Sequence, residues 1–402
     1  MLSEMFFVDH YRAPFYSLFL PLVVNLAGGN GALIRTPVFF EKAFFVIAIQ
    51  MVFGVAGMLL LYRSLEILKL NYKFRVFLVL FLVTNLIIFS WERLLLTESL
   101  ATFFLIMTFY LTVKILLNPK AVHFFWYLLI AVCALMLRPF SIGMPLIPLL
   151  IIIFYHKKKS VILLSIAVIL LYGSVIKTYS TLNFKRFQFY GLSRAGDINA
   201  LGKILLYRLP LEAGKNEKFT YDRVSDYTSL PRDPHPFRFL EQYNLQFEES
   251  VPDLLELKTF SRKVITASLS LYLLKSTEEL PGGLASVSEK IMVPPAGANL
   301  ESKILNIGFM ISRYMQYVFF LIFIFFPVSI FSFIRKPTEK SAAMLVAGCV
   351  SFYQILFSVY IAHGEYGRLI VPAQPMIYLF SLYYLKVTVV NLPSLFKNTH
   401  KK

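Results

Sequence analysis

Long, uninterrupted apolar runs set the pattern of this chain. Nine stretches have the length and apolarity of a membrane helix, for which about 17–25 residues suffice. They are 43–62, 74–91, 94–117, 121–137, 139–155, 160–177, 305–334, 341–362 and 369–390. Almost nothing separates neighbours at 91–94 and 137–139, which predicts two tight hairpins. A further apolar stretch, 15–27, is short and ends in Gly28-Gly29, so it suits an interfacial or re-entrant helix better than a span. One sizeable polar segment interrupts the series. Within it, Leu254, Leu257, Val264, Leu269 and Leu273 predict an amphipathic helix over 253–275. The segment also contains a Pro-rich piece, Leu230-Pro231-Arg232-Asp233-Pro234-His235-Pro236, and the Gly-rich pieces Pro281-Gly282-Gly283 and Val293-Pro294-Pro295-Ala296-Gly297.

The expected fold is therefore an all-α polytopic membrane protein with about nine transmembrane helices. Residues 1–42 form an outer segment with an interfacial helix, and 43–177 hold spans one to six. Residues 178–304 form a large, mainly helical extracytoplasmic loop domain, 305–390 hold spans seven to nine, and 391–402 are a basic cytoplasmic tail.

Charge gives this plan a direction. The formal net charge is +17, yet residues 178–303 hold 16 Lys/Arg against 15 Asp/Glu. The excess sits in short joints, as the positive-inside rule produces, rather than on a soluble module as nucleic-acid binding would require. Nucleic acid is therefore not an expected partner. One set of joints is basic: Arg63 to Arg75, Lys114 and Lys120, Lys157-Lys158-Lys159, Arg335 to Lys340, and Lys386 to Lys402. That set is cytoplasmic by the rule. Residues 1–42, the corner at 91–98, Arg138, the large loop and the joint 363–368 then share the opposite face, and the C-terminus lies inside. Composition agrees, with 57% hydrophobic and only 16% charged residues and a mean hydropathy of +0.65. Two cysteines, Cys133 and Cys349, fall inside apolar runs, so no disulfide framework or zinc site is implied.

Four charged clusters gather on the outer face. The first surrounds Asp9, Arg12 and Tyr16. The second is Glu92, Arg93 and Glu98, the last followed by 15 uncharged residues from Ser99 to Val113. The third is Arg138-Pro139, and the fourth runs from His363 through Glu365 and Tyr366 to Arg368. Taken singly, each is most simply an interfacial charge that snorkels or pairs. Together they bring arginines from distant segments to one face, with carboxylates beside them. A planar guanidinium donates two parallel hydrogen bonds, which suits phosphate. No nucleotide loop, metal-ligand cluster or nucleophile elbow is visible, so no cofactor is expected; a divalent metal is not indicated.

These residues resemble those of the polytopic C-type glycosyltransferases, in particular the bacterial relatives of dolichyl-phosphate-mannose protein mannosyltransferases and lipid A aminoarabinose transferases. Arg12-Ala13-Pro14-Phe15-Tyr16 is similar to that family's R-x-P-x-Y segment in the first outer loop. Leu96-Thr97-Glu98-Ser99-Leu100 is similar to its acidic motif at the outer start of a helix. Arg138-Pro139 and Arg368-Leu369-Ile370-Val371-Pro372-Ala373-Gln374-Pro375 are similar to its later basic and proline-rich positions. The likeness runs to about residue 180 and returns over 305–390.

The resemblance implies an enzyme that moves a sugar from a polyprenyl-phosphate donor to a lipid, glycan or protein acceptor on the outer face of a bacterial inner membrane. It implies Arg138 and Arg368 on the lipid phosphate, with Arg12, Tyr16, Glu92, Arg93, Glu365 and Tyr366 completing the binding pocket. In the family the catalytic acid follows a first transmembrane helix, upstream of R-x-P-x-Y. Here 11 residues precede Arg12, so an upstream helix is expected to be missing, or Asp9 or Glu98 serves as the acid. Other expectations remain open: a flippase of lipid-linked glycans, a surface-polysaccharide polymerase or ligase, and an inactive structural subunit.

Overall fold

The apolar runs fold as helices, and in the computed structural model all regular structure among the described residues is helical. The structure describes residues 14–26, 28, 37–88, 97–229, 235–245, 251–285, 300–364 and 366–399. The chain divides into two compact units. The first comprises Met1–Leu18, Gly173–Ser286 and Leu356–Tyr366; the second comprises Phe19–Tyr172, Val287–Ile355 and Gly367–Lys402.

Helices α1 (Pro14–Leu26), α2 (Pro37–Ile67) and α3 (Tyr72–Val83) come first. Asn71 caps α3 by accepting the Lys73 amide at 2.9 Å. The expected span 74–91 is interrupted: α3 stops at Val83, and Asn85 Oδ1 accepts the amides of Ile87 and Ile88. A buried Asn that caps the next turn offers the backbone an alternative to continuing the helix.

Helix α4 (Glu98–Leu117) follows, with 67% of its central window buried. Its hydroxyls cost little there, because Thr102, Thr108 and Thr112 each donate to the carbonyl four residues earlier, at 2.8–2.9 Å. Helix α5 (Ala121–Leu137) leads to a 3-10 turn (Pro139–Gly143) and α6 (Leu146–His156). Helix α7 (Lys159–Phe187) runs on from there. Later come α13 (Leu300–Met315), α14 (Leu321–Arg335), α15 (Glu339–Ile361), the five-residue α16 (Tyr366–Ile370) and α17 (Gln374–Thr399).

Among the described residues five segments are long and apolar enough to cross a membrane: Phe44–Ile67, Glu98–Leu117, Lys159–Phe187, Asn306–Arg335 and Glu339–Ile361. Ala121–Leu137 and Ser141–His156 are apolar but shorter. Exposed Val52, Val55, Leu59, Leu170 and Ile334 give these helices an oily outer surface, which lipid would cover. Cys133 and Cys349 are half-buried free thiols.

Between α7 and α13 lie α8 (Ala195–Tyr207), α9 (Lys218–Ser229), α10 (Pro236–Gln242), α11 (Val251–Ala267) and α12 (Leu269–Ala285). They close a separate core around Leu201, Val224, Phe239, Leu257, Phe260 and Val264. The single amphipathic helix expected over 253–275 is two helices. The chain turns at Ser268, so Leu254, Leu257 and Val264 are buried, while Leu269 and Leu273 are exposed and Tyr272 packs inward. Helix α12 continues through Pro281 and the two glycines after it.

Candidate functional site

Glu98 is the first residue of α4, where the helix dipole favours negative charge. Its side chain is fully buried. Arg138 follows the last residue of α5 and is extended (φ −145°, ψ 103°), as a residue before proline must be. The Pro139 turn after it is held from several sides. Tyr353 Oη accepts the Gly143 amide at 3.2 Å, and Tyr127 Oη donates to the Pro145 carbonyl at 2.5 Å. Gly143 is required: a Cβ there would lie 2.6 Å from the Tyr353 ring. Arg368 sits on α16, whose Leu369 carbonyl accepts from Gln354 Nε2 at 2.6 Å.

These elements bring three of the expected residues together. Glu98 Oε1 accepts from Arg138 Nη2 at 3.1 Å and from Arg368 Nε at 2.5 Å. Arg138 is 6% exposed and Arg368 27%. Among the described residues no hydrogen-bond partner reaches the buried Glu98 Oε2. Two guanidiniums meet one carboxylate oxygen in a largely desolvated place, where Coulomb forces are strong. Such a cluster can bind an anion, and its spare carboxylate oxygen can accept one further hydrogen bond.

An apolar groove of about 570 Å³ runs along α2 and α3, between Met51, Val55, Leu59 and Tyr62 on one side and Val79 and Val83 on the other. From Met51 to Tyr62 it follows α2 for roughly 16 Å at 1.5 Å per residue. Ser99 Oγ donates to the carbonyl of Gln50, the residue before Met51, at 3.2 Å. That bond joins the groove's end to the first turn of α4, where Glu98 stands.

Asp9, Arg12, Glu92, Arg93 and Glu365 lie outside the described residues. Tyr16 falls in α1, and its side chain is likewise not described. The hydroxyl of Tyr366 accepts from Lys203 Nζ at 2.8 Å and donates to Glu279 Oε2 at 2.6 Å.

That bond reveals a cluster in the first unit that sequence reasoning missed. Lys203 on α8 is fully buried. Its ammonium meets Tyr207 Oη and Glu279 Oε2 at 2.6 Å, and the Val359 carbonyl at 2.8 Å. It also lies 4.8 Å from the ring centres of Tyr207 and Tyr366. Tyr207 donates to Glu279 Oε2 at 2.5 Å. Burial lowers the Lys203 pKa, with Glu279 opposing. Burial pushes Glu279 up, but the bonds from Lys203, Tyr207 and Tyr366 outweigh it and hold the carboxyl below its ordinary value. Burial and then Glu279 raise both phenols. The available signal was a lone lysine in the apolar run Leu201-Gly202-Lys203-Ile204-Leu205-Leu206-Tyr207.

Among the described residues no group of three or more His, Cys, Asp or Glu side chains gathers as a metal site. No protein-family model, curated protein or solved structure matches this chain.

Proposed function

We propose that this chain is an integral membrane glycosyltransferase that moves a sugar from a polyprenyl-phosphate donor to a lipid, glycan or protein acceptor. The observation that carries the reading is the pair of guanidiniums, Arg138 and Arg368, held on the buried Glu98 carboxylate. An apolar groove whose end at Met51 follows Gln50, the residue that Ser99 bonds, suits a phosphate borne on a long hydrocarbon chain. Burial of such a chain contributes about 0.8 kcal/mol per CH₂. The resemblance of the surrounding motifs to the C-type glycosyltransferases supplies the sugar.

In this reading the bond from the sugar's anomeric carbon to the phosphate oxygen breaks, and its electron pair stays on that oxygen. Arg138 and Arg368 stabilise the charge left there. The acceptor hydroxyl oxygen bonds to the anomeric carbon, and its proton passes to a carboxylate. Glu98 Oε2 and Asp9 are the two candidates; Glu98 Oε1 is committed to the arginines. Arg12, Tyr16, Glu92, Arg93 and Glu365 complete the pocket as the resemblance implies. The reading includes nine spans in a bacterial inner membrane, with 178–304 and the charged clusters outside and the basic joints inside.

The test is transfer by the full chain reconstituted in vesicles, supplied with a radiolabelled polyprenyl-monophosphate hexose and bilayer acceptors. We expect labelled product from the wild type and a loss of about 100-fold or more in Arg138→Ala and Arg368→Ala, the scale of removing one charge-stabilising group. Transfer that survives both substitutions unchanged, or the absence of any transfer, rules the reading out.

A further inference from the structure

Helix α12 carries leucines that its own unit leaves uncovered. Leu269, Leu273 and Leu274 are 49%, 44% and 57% exposed, although Tyr272 on the same helix packs into the unit's core. Their placement around the helix is ordered. At about 100° per residue, Leu269, Leu273 and Thr277 fall on one side, with Leu274 at its edge, while Lys275 and Glu278 fall on the opposite side. A helix that separates apolar from charged residues in this way lays its apolar side against something less polar than water.

The end of a membrane-crossing segment lies beside that apolar side. Thr277 Oγ1 and Tyr360 Oη are in hydrogen-bond contact at 2.7 Å, and Tyr272 Oη donates to the Tyr360 carbonyl. Farther along α12, a Cβ on Gly283 would stand 3.1 Å from the Val359 side chain. Val359 and Tyr360 belong to the last turn of Glu339–Ile361, which is long and apolar enough to cross a membrane. They and α12 are parts of the same unit. Tyrosines at the ends of spans sit at headgroup level, with the ring towards lipid and the hydroxyl towards water. The bond to Tyr360 Oη sets Thr277 at that level, and Leu273 and Leu269 stand one and two turns from Thr277 on the same side.

We propose that α12 is an interfacial helix: Leu269, Leu273 and Leu274 enter the boundary between lipid headgroups and acyl chains, and Lys275 and Glu278 stay in water. The partner is the bilayer that the chain itself crosses. Attachment to the turn that ends a span selects lipid over a protein partner. The proposal needs a membrane-crossing chain and is independent of sugar transfer.

The test uses the full chain lacking Cys133 and Cys349, reconstituted in vesicles of phosphatidylethanolamine and phosphatidylglycerol. A spin label is attached to Leu269→Cys, Leu273→Cys or Glu278→Cys, all at exposed positions, so the core is left intact. Collisions with lipid-soluble oxygen and with a water-soluble nickel chelate report depth. We expect the labels at Leu269→Cys and Leu273→Cys to lie about 5–10 Å into the headgroup–acyl boundary, the depth of an interfacial helix's apolar face. The label at Glu278→Cys should meet the chelate freely. Leu170→Cys, exposed on α7, reports on the membrane itself.

Free access of the chelate to Leu170→Cys overturns the membrane reading, and this proposal with it. If Leu170→Cys is shielded but the chelate reaches Leu269→Cys and Leu273→Cys as readily as Glu278→Cys, the interfacial helix alone is overturned. Shielding of Leu273→Cys that fades as the protein is diluted in lipid assigns the surface to a second copy, and overturns it too.

Discussion

Glu98 Oε1 is shared by two guanidiniums, so neutralising it takes an anionic partner from both in a place with little water. We expect Glu98→Gln to destabilise the protein by about 3–5 kcal/mol, the usual cost of breaking a buried pair from one side. Chemical denaturation in detergent measures it. Arg368→Lys keeps the charge but loses the planar fork, and we expect weaker farnesyl phosphate binding with little change in stability. Glu279 makes a different prediction. Its folded pKa lies below 4.5, so its contribution to stability is fully present above that pH and is lost as pH falls through the folded value. Glu279→Gln lacks this acid-sensitive part, so the gap in melting temperature between wild type and variant should be flat above pH 4.5 and narrow below it. Sequence made the charges at 98, 138 and 368 visible, because each interrupts or ends an apolar run. Their pairing was not visible, for Arg368 lies 270 residues from Glu98. Lys203 was missed for another reason: its apolar neighbours from Leu201 to Tyr207 set it apart, but they lie within a charge-balanced polar segment where a lysine is ordinarily exposed.

At the scale of the element, the 3-10 turn after Arg138 is the tightest constraint on the cluster. Gly143→Ala pushes a Cβ against the Tyr353 ring at 2.6 Å. We expect it to cost about 1–3 kcal/mol, as overpacking does, and to weaken farnesyl phosphate binding, with recovery in Gly143→Ala/Tyr353→Leu, where the ring is gone. Melting and binding measured on the same samples decide it. Periodicity located the helices well where apolar runs were long, as in α4 and α15. It failed where one polar residue redirects the chain. Asn85 divides the expected span 74–91 by capping its own downstream turn, and the turn at Ser268 divides the helix expected over 253–275. The first break depends on packing that fixes a short side chain, which a period count does not register.

For the whole molecule, sidedness is the expectation with the widest reach. In a variant lacking Cys133 and Cys349, cysteines placed at Thr97 and His363 should react with an impermeant maleimide from one side of sealed vesicles. Cysteines at Lys158 and Lys336 should react only from the other. Labelling of Thr97 and His363 from opposite sides would remove any shared compartment for the arginines. The two units were half legible: a polar segment between apolar runs announced a separate body, but nothing in its sequence said that Leu356–Tyr366 would join it. That short return piece continues an apolar helix before its polar end at His363–Tyr366, and its membership follows from tertiary contacts alone.

The groove along α2 also has a finite length, and this makes it a ruler. Isoprenoid phosphates short enough to lie wholly within those roughly 16 Å add groove contacts with each unit, and gain affinity as far as the groove packs on the tail more closely than fluid lipid does. Longer ones extend past Tyr62 into surrounding hydrocarbon, where a further unit meets the same medium whether bound or free. Affinity measured in bilayers should therefore climb with tail length and then level off, leaving the protein indifferent to how long a natural carrier is.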